Sequence, residues 1–287
     1  MLKLSVKSFA KINLGLFITG KRPDGYHSLE TIFAPINWYD TLEFADSDTV
    51  SMTCSNADLP VDESNLCIRA AKSLKEAAGV ESGVAMRLHK ELPFGAGLGG
   101  GSSDAATVLR TLNRMWRLNA SPADLHAIAV KLGADVPYFL EMSGLAYARG
   151  IGDELEELGF SLPYHVVTLF PEEHVSTVWA YRNFYPRFER HVPDLKRLAS
   201  ELCQRGDKSV VSLFENDFEA AVIDHFPAVR QAKQSLLEGG SFFVSLSGSG
   251  SAVFGLFERH EDALRALNSL PEGCRKSLTA PGFSMKQ

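Results

Sequence analysis

The chain has 287 residues, of which 45% are hydrophobic and 22% charged, and its formal net charge at pH 7 is −6. This is the composition of a globular protein with one large domain or two ordinary ones, and the negative charge argues against nucleic acid or an anionic membrane surface as partner. Widely spaced cysteines, a polar N-terminus and the lack of an apolar stretch of about 18 residues predict a cytoplasmic protein with free thiols and no membrane span.

The first half of the chain reads as strands followed by helices. Apolar and polar residues alternate in the first strand, so that Lys11 and Asn13 share one of its faces. Ser64 is predicted to cap the first helix, and Ser121 with Pro122 predicts the start of a later one. The elements predicted here are strands over residues 2–19, 37–44, 49–54 and 84–90, and helices over 65–78, from near 104, and over 122–132.

The pattern changes after about residue 150. Helices and strands then mix without regular alternation, which predicts the α+β class. We predict two domains, 1–153 and 154–287. The elements expected in the second are a connection over 155–162, strands over 166–170, 242–246 and 252–257, and helices over 195–203, 218–223, 228–237 and 259–269.

A glycine-rich segment from Leu92 to Ser103 is the strongest functional signal in the chain. Glycine lets backbone N–H groups approach a ligand closely, and a helix N-terminus carries free N–H donors and partial positive charge. Ser102 or Ser103 is expected to cap the helix that begins near Asp104. The order strand, glycine segment, serine and helix therefore predicts a phosphate-binding site.

Several better-known phosphate motifs do not fit this segment. Residues 95–100 match the dinucleotide fingerprint GxGxxG, but Pro93 precedes them and no acidic residue lies at 115–120. No lysine follows the last glycine, which excludes Walker A, and the protein-kinase triplets HRD and DFG are absent from the sequence. The segment must belong to another class of phosphate-binding protein.

Three stretches resemble the GHMP kinase superfamily: Ala10–Leu14, Leu92–Ala106 and Leu246–Ser251. Within it, Arg22–His27 and Gly133–Pro137 are similar to the branch that phosphorylates a cytidyl-methylerythritol in the non-mevalonate isoprenoid pathway. The resemblance implies an α+β GHMP kinase fold, with an N-terminal α+β domain that contains a left-handed βαβ unit, a C-terminal ferredoxin-like domain, and an active site in the cleft between these domains. It implies transfer of phosphoryl from ATP to the 2-hydroxyl of the cytidyl substrate, giving the 2-phosphate and ADP.

The resemblance also implies roles for individual residues. Lys11 would stabilise the developing alkoxide and the transferring phosphoryl group, and Asp135 would act as general base or mainly orient the hydroxyl. Asp135 directly follows a helix C-terminus, where the dipole disfavours an anion. The implied substrate-binding residues are Asn13, Tyr26, His27, Thr177 and Tyr181, with Trp179 and Phe184 as alternatives to Tyr181 for stacking on cytosine.

The implied cofactors are ATP and Mg²⁺. The metal is expected to be held mainly by ATP and water, because no glutamate matches the ligand of many superfamily members, and Ser102 or Ser103 could contribute a hydroxyl. The expected partner is a small molecule that carries cytidine diphosphate, with no nucleic acid and no membrane, and the protein is expected to be a monomer or weak homodimer. The residues implied around ATP are Asn65, Lys90, Pro93, Gly95, Ala96, Gly97, Leu98, Gly99, Gly100, Gly101, Ser102 and Ser103.

Other interpretations of these residues stay open at this point. From the pattern alone, Lys11 could be a solvated strand lysine and Gly248–Ser251 a two-residue hairpin turn. The chain could also be a homoserine or mevalonate kinase, or a nucleotide-binding module without activity. Lys11 and Asp135 argue against the last alternative, because a binding module needs no base.

Overall fold

The computed structural model describes residues 3–270 and 273–285, in which helices and strands alternate irregularly. Residue 2, where the first strand was predicted to begin, lies outside this range. The strands are β1 (Lys3–Lys21), β2 (His27–Ser47), β3 (Val50–Cys54), β4 (Gly83–His89), β5 (Ala146–Arg149), β6 (Glu154–Glu157), β7 (His165–Phe170), β8 (Phe243–Leu246), β9 (Val253–Phe257) and β10 (Arg275–Thr279). The helices are α1 (Leu66–Ala78), α2 (Gly100–Met115), α3 (Pro122–Leu132), α4 (Val136–Glu141), α5 (Thr177–Asn183), α6 (Leu195–Arg205), α7 (Glu219–His225), α8 (Pro227–Glu238) and α9 (His260–Ser269).

The chain folds into two compact units, each built from separate stretches. The first contains residues 3–10, 39–92 and 99–142, and the second contains residues 11–38, 93–98 and 143–285. Because of this division, β1, β2 and the glycine segment contribute residues to both units. These units are defined by packing and are not the same division as the two domains predicted from the sequence, 1–153 and 154–287, which stay a prediction.

The first unit is a βαβ arrangement covered by helices. Strand β3 runs parallel to β4, and the end of β2 pairs antiparallel with the other edge of β4, from Thr41 opposite His89 to Ser47 opposite Gly83. Helix α1 connects β3 to β4, as a parallel pair requires. Leu109 and Leu112, which are three residues apart on α2, are both fully buried.

Two helix starts in this unit test the capping predictions. Ser121 and Asp124 form a reciprocal capping box at α3, with Pro122 in the first helical position, as predicted. The predicted cap of α1 was wrong by one residue. Asn65 accepts the N–H of Cys67, whereas the Ser64 hydroxyl bonds to Asp62 in the preceding turn.

The second unit contains a sheet with the order β10-β7-β9-β8, in which all neighbours are antiparallel. Numbered along the unit, this is the 4-1-3-2 order of a ferredoxin-like strand-helix-strand-strand-helix-strand fold, as predicted. Helices α8 and α9 pack on the sheet. Their contact forms a core whose members include Val167, Leu169, Val229, Leu236, Val244, Leu246, Val253, Ala263 and Ala266.

Some elements differ from the sequence predictions. Residues 154–157 form strand β6 on β5 instead of a connection, and their mostly exposed, acidic side chains hid the strand. Strand β2 begins at His27 rather than near 37. Its first part was not predicted, because residues 32–36 are apolar without alternation and include Pro35, which argues against a strand. Within the described residues, no helix combines the length and the apolar character needed to cross a bilayer.

Candidate active site

Lys11 and Asn13 lie side by side on β1, as their spacing predicts. The Lys11 side chain is buried, with 4% of the residue exposed, which excludes a solvated strand lysine. Its Nζ donates to Asn13 Oδ1 at 2.7 Å and to the Gly97 carbonyl at 3.2 Å. Asn13 Nδ2 in turn donates to Thr31 Oγ1 at 3.0 Å, which fixes the amide. A buried ammonium is suited to stabilise negative charge that develops next to it.

The stretch Pro93–Leu98 of the glycine segment belongs to the same unit as Lys11 and is held from two sides. The Lys11 N–H donates to the Leu98 carbonyl at 3.1 Å, and the Ala252 N–H donates to the Ala96 carbonyl at 3.0 Å. The Gly97 carbonyl accepts from Ser247 Oγ at 2.9 Å as well as from Lys11. Gly97 has a φ of 76°, and a Cβ there would overlap the Ser247 carbonyl oxygen. Protein packing therefore requires this glycine independently of any ligand.

The connection between β8 and β9 supplies these contacts. The last cross-strand pair is Leu246 with Val253, and the Ser247 N–H donates to the Ala252 carbonyl at 2.9 Å. Residues 248–251 lie beyond that bond, so the connection is longer than a two-residue hairpin turn. Thr177, a predicted substrate-binding residue, lies 3.2 Å from Ser249 through their hydroxyl oxygens.

The first unit contains the other end of the glycine segment. Helix α2 begins at Gly100, and Gly99, with a φ of 71°, takes the N-cap position without a side-chain hydrogen bond. The prediction that Ser102 or Ser103 caps a helix from Asp104 was wrong, because both lie inside α2. Ser103 instead donates to the Phe9 carbonyl at 2.6 Å. A helix that starts on consecutive glycines presents its first N–H groups without side-chain competition, which suits an anion such as a polyphosphate.

Lys90 has a different environment from the one predicted beside adenosine. Its side chain is 5% exposed, and its Nζ lies 2.5 Å from Asp40 Oδ2 and 2.8 Å from Asp104 Oδ2. The other oxygen of Asp40 accepts the N–H groups of Glu91 and Leu92, both at 2.7 Å. This buried acidic cluster holds the chain at the point where β4 passes into the glycine segment. The role of Lys90 at adenosine stays a prediction, and the structure gives its charge two carboxylate partners.

The buried cluster predicts a pH dependence of stability. Burial and the neighbouring Asp104 raise the pKa of Asp40 to about 7, despite the opposing effect of Lys90. Between the ordinary aspartate pKa and pH 7 the folded protein retains a proton that the unfolded chain releases, so this group's contribution to stability decreases as the pH rises. We expect the unfolding free energy of the wild type, minus that of Asp40→Asn, to fall by up to about 1.4 kcal/mol per pH unit from pH 5 to 7 and to level off above pH 7. Urea unfolding across this range measures the difference, and a constant or rising difference would contradict the assignment.

Asp135 occupies the N-cap position of α4, immediately after α3 has ended at Gly133. The C-terminal end of α3 was predicted to disfavour an anion there. Helix α3 does end at Gly133, as predicted, but a second helix, which was not predicted, starts at Val136, with Pro137 in its first turn. Asp135 therefore lies at the positive end of a helix dipole, where a carboxylate is favoured.

Aromatic side chains gather around His27 in the second unit. Its ring stacks on Tyr181, with centroids 4.9 Å apart and planes inclined by 23°, and Phe184 lies edge-on at 5.6 Å. Tyr26 is 62% exposed next to them. Partial burial, together with Lys21, lowers the pKa of His27, so its imidazole is neutral at neutral pH and offers one donor and one acceptor nitrogen.

Of the alternatives to Tyr181, Phe184 lies edge-on to His27 and Trp179 packs on other rings of the same unit. Trp179 packs edge-on against His225 and Phe226, with centroids 5.0 and 4.8 Å away. Phe184 is buried at 8% exposure. Tyr181 is thus the member of this group that stacks face to face with His27.

The remaining predicted nucleotide contact, Asn65, uses its amide within the protein. Asn65 Oδ1 accepts the N–H of Cys67 at 2.9 Å, and Nδ2 donates to the Pro60 carbonyl at 2.7 Å. Over residues 3–270 and 273–285, no three His, Cys, Asp or Glu side chains come together in a way that could hold a metal ion.

Two side chains were not predicted, one that contacts the glycine segment and one that contacts the β8–β9 connection. His174 stacks parallel on Phe94, with centroids 5.8 Å apart, and a Cβ on Gly95 would overlap its ring. Asn216 holds the β8–β9 connection. Neither follows from periodicity or from a motif, because each reaches its contact across a large separation in sequence.

Comparisons with known proteins identify the family. The sequence patterns of the GHMP kinases N terminal domain and the GHMP kinases C terminal domain match residues 65–142 and 188–276. The 4-diphosphocytidyl-2-C-methyl-D-erythritol kinase of Pelodictyon phaeoclathratiforme is 70% identical over 284 residues, which cover 99% of each chain. The chain belongs to the 4-diphosphocytidyl-2-C-methyl-D-erythritol kinases, a family of GHMP kinases. It is a kinase with ATP as phosphoryl donor.

Solved structures agree with this membership. A crystal structure of 4-(cytidine 5'-diphospho)-2C-methyl-D-erythritol kinase matches with a TM-score of 0.82 and 36% identity, covering 97% of this kinase and 99% of that chain. A homoserine kinase from Cytophaga hutchinsonii has a TM-score of 0.76 at 20% identity, over 98% and 96% of the two chains, and shares the fold. The predicted GHMP fold and family are confirmed.

Proposed function

We propose that this kinase transfers the γ-phosphoryl group of ATP to the 2-hydroxyl of 4-(cytidine 5'-diphospho)-2-C-methyl-D-erythritol, giving the 2-phosphate and ADP in isoprenoid precursor synthesis. The observation that carries the proposal is the stack of His27 on Tyr181 beside the exposed Tyr26. Aromatic rings bind a nucleobase by stacking, and a neutral imidazole can hydrogen-bond to its edge. Homoserine and mevalonate have no base that would use this group.

The donor half of the proposal rests on the glycine segment. The N–H groups at the start of α2, which begins at Gly100 after Gly99 with its positive φ, fit a polyphosphate chain. The residues proposed around ATP are Asn65, Lys90, Pro93, Gly95, Ala96, Gly97, Leu98, Gly99, Gly100, Gly101, Ser102 and Ser103. Lys90 would contribute through its aliphatic stem, since its ammonium is held by Asp40 and Asp104.

Mg²⁺ belongs to the same proposal. When bound, it neutralises phosphate charge during the transfer. The phosphates and water would hold it, because Mg²⁺ typically keeps several waters and needs few protein ligands. The hydroxyl of Ser102 could supply a further oxygen, since that side chain is only half-buried, while the Ser103 hydroxyl is committed to the Phe9 carbonyl.

The acceptor half of the proposal assigns one role each to Lys11, Asn13 and Asp135, and it assigns a further set of residues to the cytidyl group. The Lys11 ammonium stabilises charge on the acceptor oxygen and the transferring group, and Asn13, fixed by Lys11 and Thr31, binds the methylerythritol hydroxyls. Asp135 accepts the proton of the 2-hydroxyl. Thr177 and Tyr181 bind the cytidyl part together with Tyr26 and His27. The enzyme acts in the cytoplasm as a monomer or weak homodimer on this small molecule.

The activity is tested with purified protein, ATP, Mg²⁺ and the cytidyl substrate, with homoserine and mevalonate in parallel reactions. We expect one ADP and one 2-phosphate per turnover with the cytidyl substrate and no ADP above background with the other two acceptors. No ADP release with the cytidyl substrate would overturn the proposal, as would faster turnover of homoserine or mevalonate.

Replacing Tyr181 tests the cytidine site. Because base stacking is worth about 1–3 kcal/mol, Tyr181→Ala is expected to raise KM for the cytidyl substrate by about 5- to 150-fold and to leave KM for ATP unchanged. Tyr185→Ala is the matched control, because Tyr185 is 53% exposed in the same unit. The rings that surround His27 are those of Tyr181, Phe184 and Phe188, and Tyr185 is not among them. Equal effects of the two substitutions would contradict the role of Tyr181.

A further inference from the structure

The Asn216 side chain is buried, and every polar atom of its amide has a partner. Nδ2 donates to the carbonyl oxygens of Leu246 at 2.8 Å and Gly248 at 2.9 Å, while Oδ1 accepts the N–H of Phe218 at 3.0 Å. These bonds use both donors of the amide and fix its orientation. The two carbonyls that it holds lie at the start of the β8–β9 connection.

The backbone around Asn216 is anchored to β1, the strand that carries Lys11. The Leu16 N–H donates to the Glu215 carbonyl at 2.7 Å, and the Asp217 N–H donates to the Leu16 carbonyl at 3.0 Å. Asp217 Oδ2 also accepts the N–H of Ile18 at 2.6 Å. Asn216 is therefore held at a fixed distance from β1, and its amide transmits that position to the connection.

The connection in turn meets the groups around Lys11. A Cβ on Gly248 would lie 3.1 Å from the Gly97 carbonyl oxygen and 3.3 Å from Asn13 Oδ1. The β8–β9 connection is therefore in close contact with the glycine segment and with β1. Ser247 Oγ donates to the same Gly97 carbonyl that accepts from Lys11 Nζ. Displacing the connection would move two oxygen atoms that accept hydrogen bonds from the Lys11 ammonium, Asn13 Oδ1 and the Gly97 carbonyl oxygen.

We propose that Asn216 is a positioning residue for phosphoryl transfer, which acts by holding the β8–β9 connection against Gly97 and Asn13 and so fixes the Lys11 ammonium. This inference rests on the proposed function, because it concerns the same transfer. Asn216 touches neither substrate nor nucleotide in this role. Its effect is expected mainly on the rate of transfer, because its two Nδ2 bonds hold the connection beside Gly97 and Asn13, whereas Thr177 meets that connection through a hydroxyl contact with Ser249.

Asn216→Asp is the most informative variant. The aspartate keeps an oxygen that can accept the Phe218 N–H. Its second oxygen replaces Nδ2 and faces the Leu246 and Gly248 carbonyl oxygens, which then lose their donor. Because a misplacement near 1 Å can cost about 100-fold, we expect kcat to fall about 10- to 100-fold, with KM for the cytidyl substrate changed less than about threefold. Protonation restores a donor to the introduced carboxyl, so kcat of the variant relative to wild type should rise as the pH falls from 8 to 6.

Asn113→Asp is the matched control. The Asn113 amide also ties down backbone, by donating to the Ala120 carbonyl at 3.3 Å and accepting its N–H at 3.0 Å, and it lies at the far end of α2 from the glycine segment. Both variants are assayed well below their thermal midpoints. Wild-type kcat in Asn216→Asp, or an equal loss without pH dependence in both variants, overturns the proposal.

Failure of the proposed function is recognised separately. If the wild type does not phosphorylate the cytidyl substrate, the proposed function is wrong. Amide hydrogen exchange then still tests whether Asn216 holds the β8–β9 connection in place. The N–H groups of Ser247, Gly250 and Ala252 are hydrogen-bonded in the wild type. Faster exchange at these amides in Asn216→Asp than in Asn113→Asp supports the positioning role, and unchanged exchange overturns it.

Discussion

Asp135→Asn is expected to lower kcat by about 100- to 10,000-fold, the usual contribution of a general base. The amide has the shape of the carboxylate but cannot take a proton. The start of α4 should form in the variant, because the side chain of residue 135 makes no capping hydrogen bond to this helix. Steady-state kinetics with the cytidyl substrate, together with thermal unfolding, measure the two effects.

Comparison with Asp135→Ala separates proton transfer from orientation. An asparagine oxygen can still accept a hydrogen bond from the substrate hydroxyl, whereas alanine cannot. If Asp135 takes the proton, both variants lose a similar factor. If it mainly orients the hydroxyl, Asp135→Asn retains much more activity than Asp135→Ala, and the role as base is contradicted. Asp194→Asn, which neutralises the N-cap residue of α6, is the control and should keep wild-type kcat.

Lys90→Met is expected to reduce the unfolding free energy by about 3–5 kcal/mol, the usual cost of leaving a buried charge without its partner. Methionine fills a similar volume, so the loss reflects charge. The Asp40 residue is 0% exposed and Asp104 is 2% exposed, and both carboxylates rely on the Lys90 ammonium. Urea unfolding at pH 7 provides the measurement.

The control and the rescue use the same assay. Lys72→Met removes an exposed pair with Glu63 and should cost less than about 1 kcal/mol. Adding Asp40→Asn and Asp104→Asn to Lys90→Met should recover part of the loss, because no charge is then buried. A Lys90→Met variant of wild-type stability whose KM for ATP is raised would instead favour a direct nucleotide contact.

The sequence predicted well where a pattern is local. Lys11 and Asn13 share a face because strand side chains alternate, and Ser121 with Pro122 carries its own capping signal within one turn. The α+β class followed from the irregular order of elements. The fold family and the roles proposed for Lys11 and Asp135 came from resemblance, since composition and spacing alone left Lys11 as an ordinary strand lysine.

The sequence predicted poorly where distant segments meet. Nothing near Lys90 in the chain indicates that Asp40 and Asp104 will surround it, since the three lie on different elements. Serine preference at N-caps favoured Ser102 or Ser103, but Gly99 adopts the left-handed conformation and starts α2 earlier. Asn216 carries no motif at all, and its importance depends on the β8–β9 connection that it reaches.

The close packing at Gly97 has a consequence for how relatives of this kinase can be judged. The space for a Cβ there is filled by the Ser247 carbonyl, so selection for a stable fold alone would preserve the glycine. A descendant that had lost catalysis would keep it, and with it much of the appearance of a nucleotide motif. The presence of Gly97 therefore does not by itself distinguish an active descendant from an inactive one.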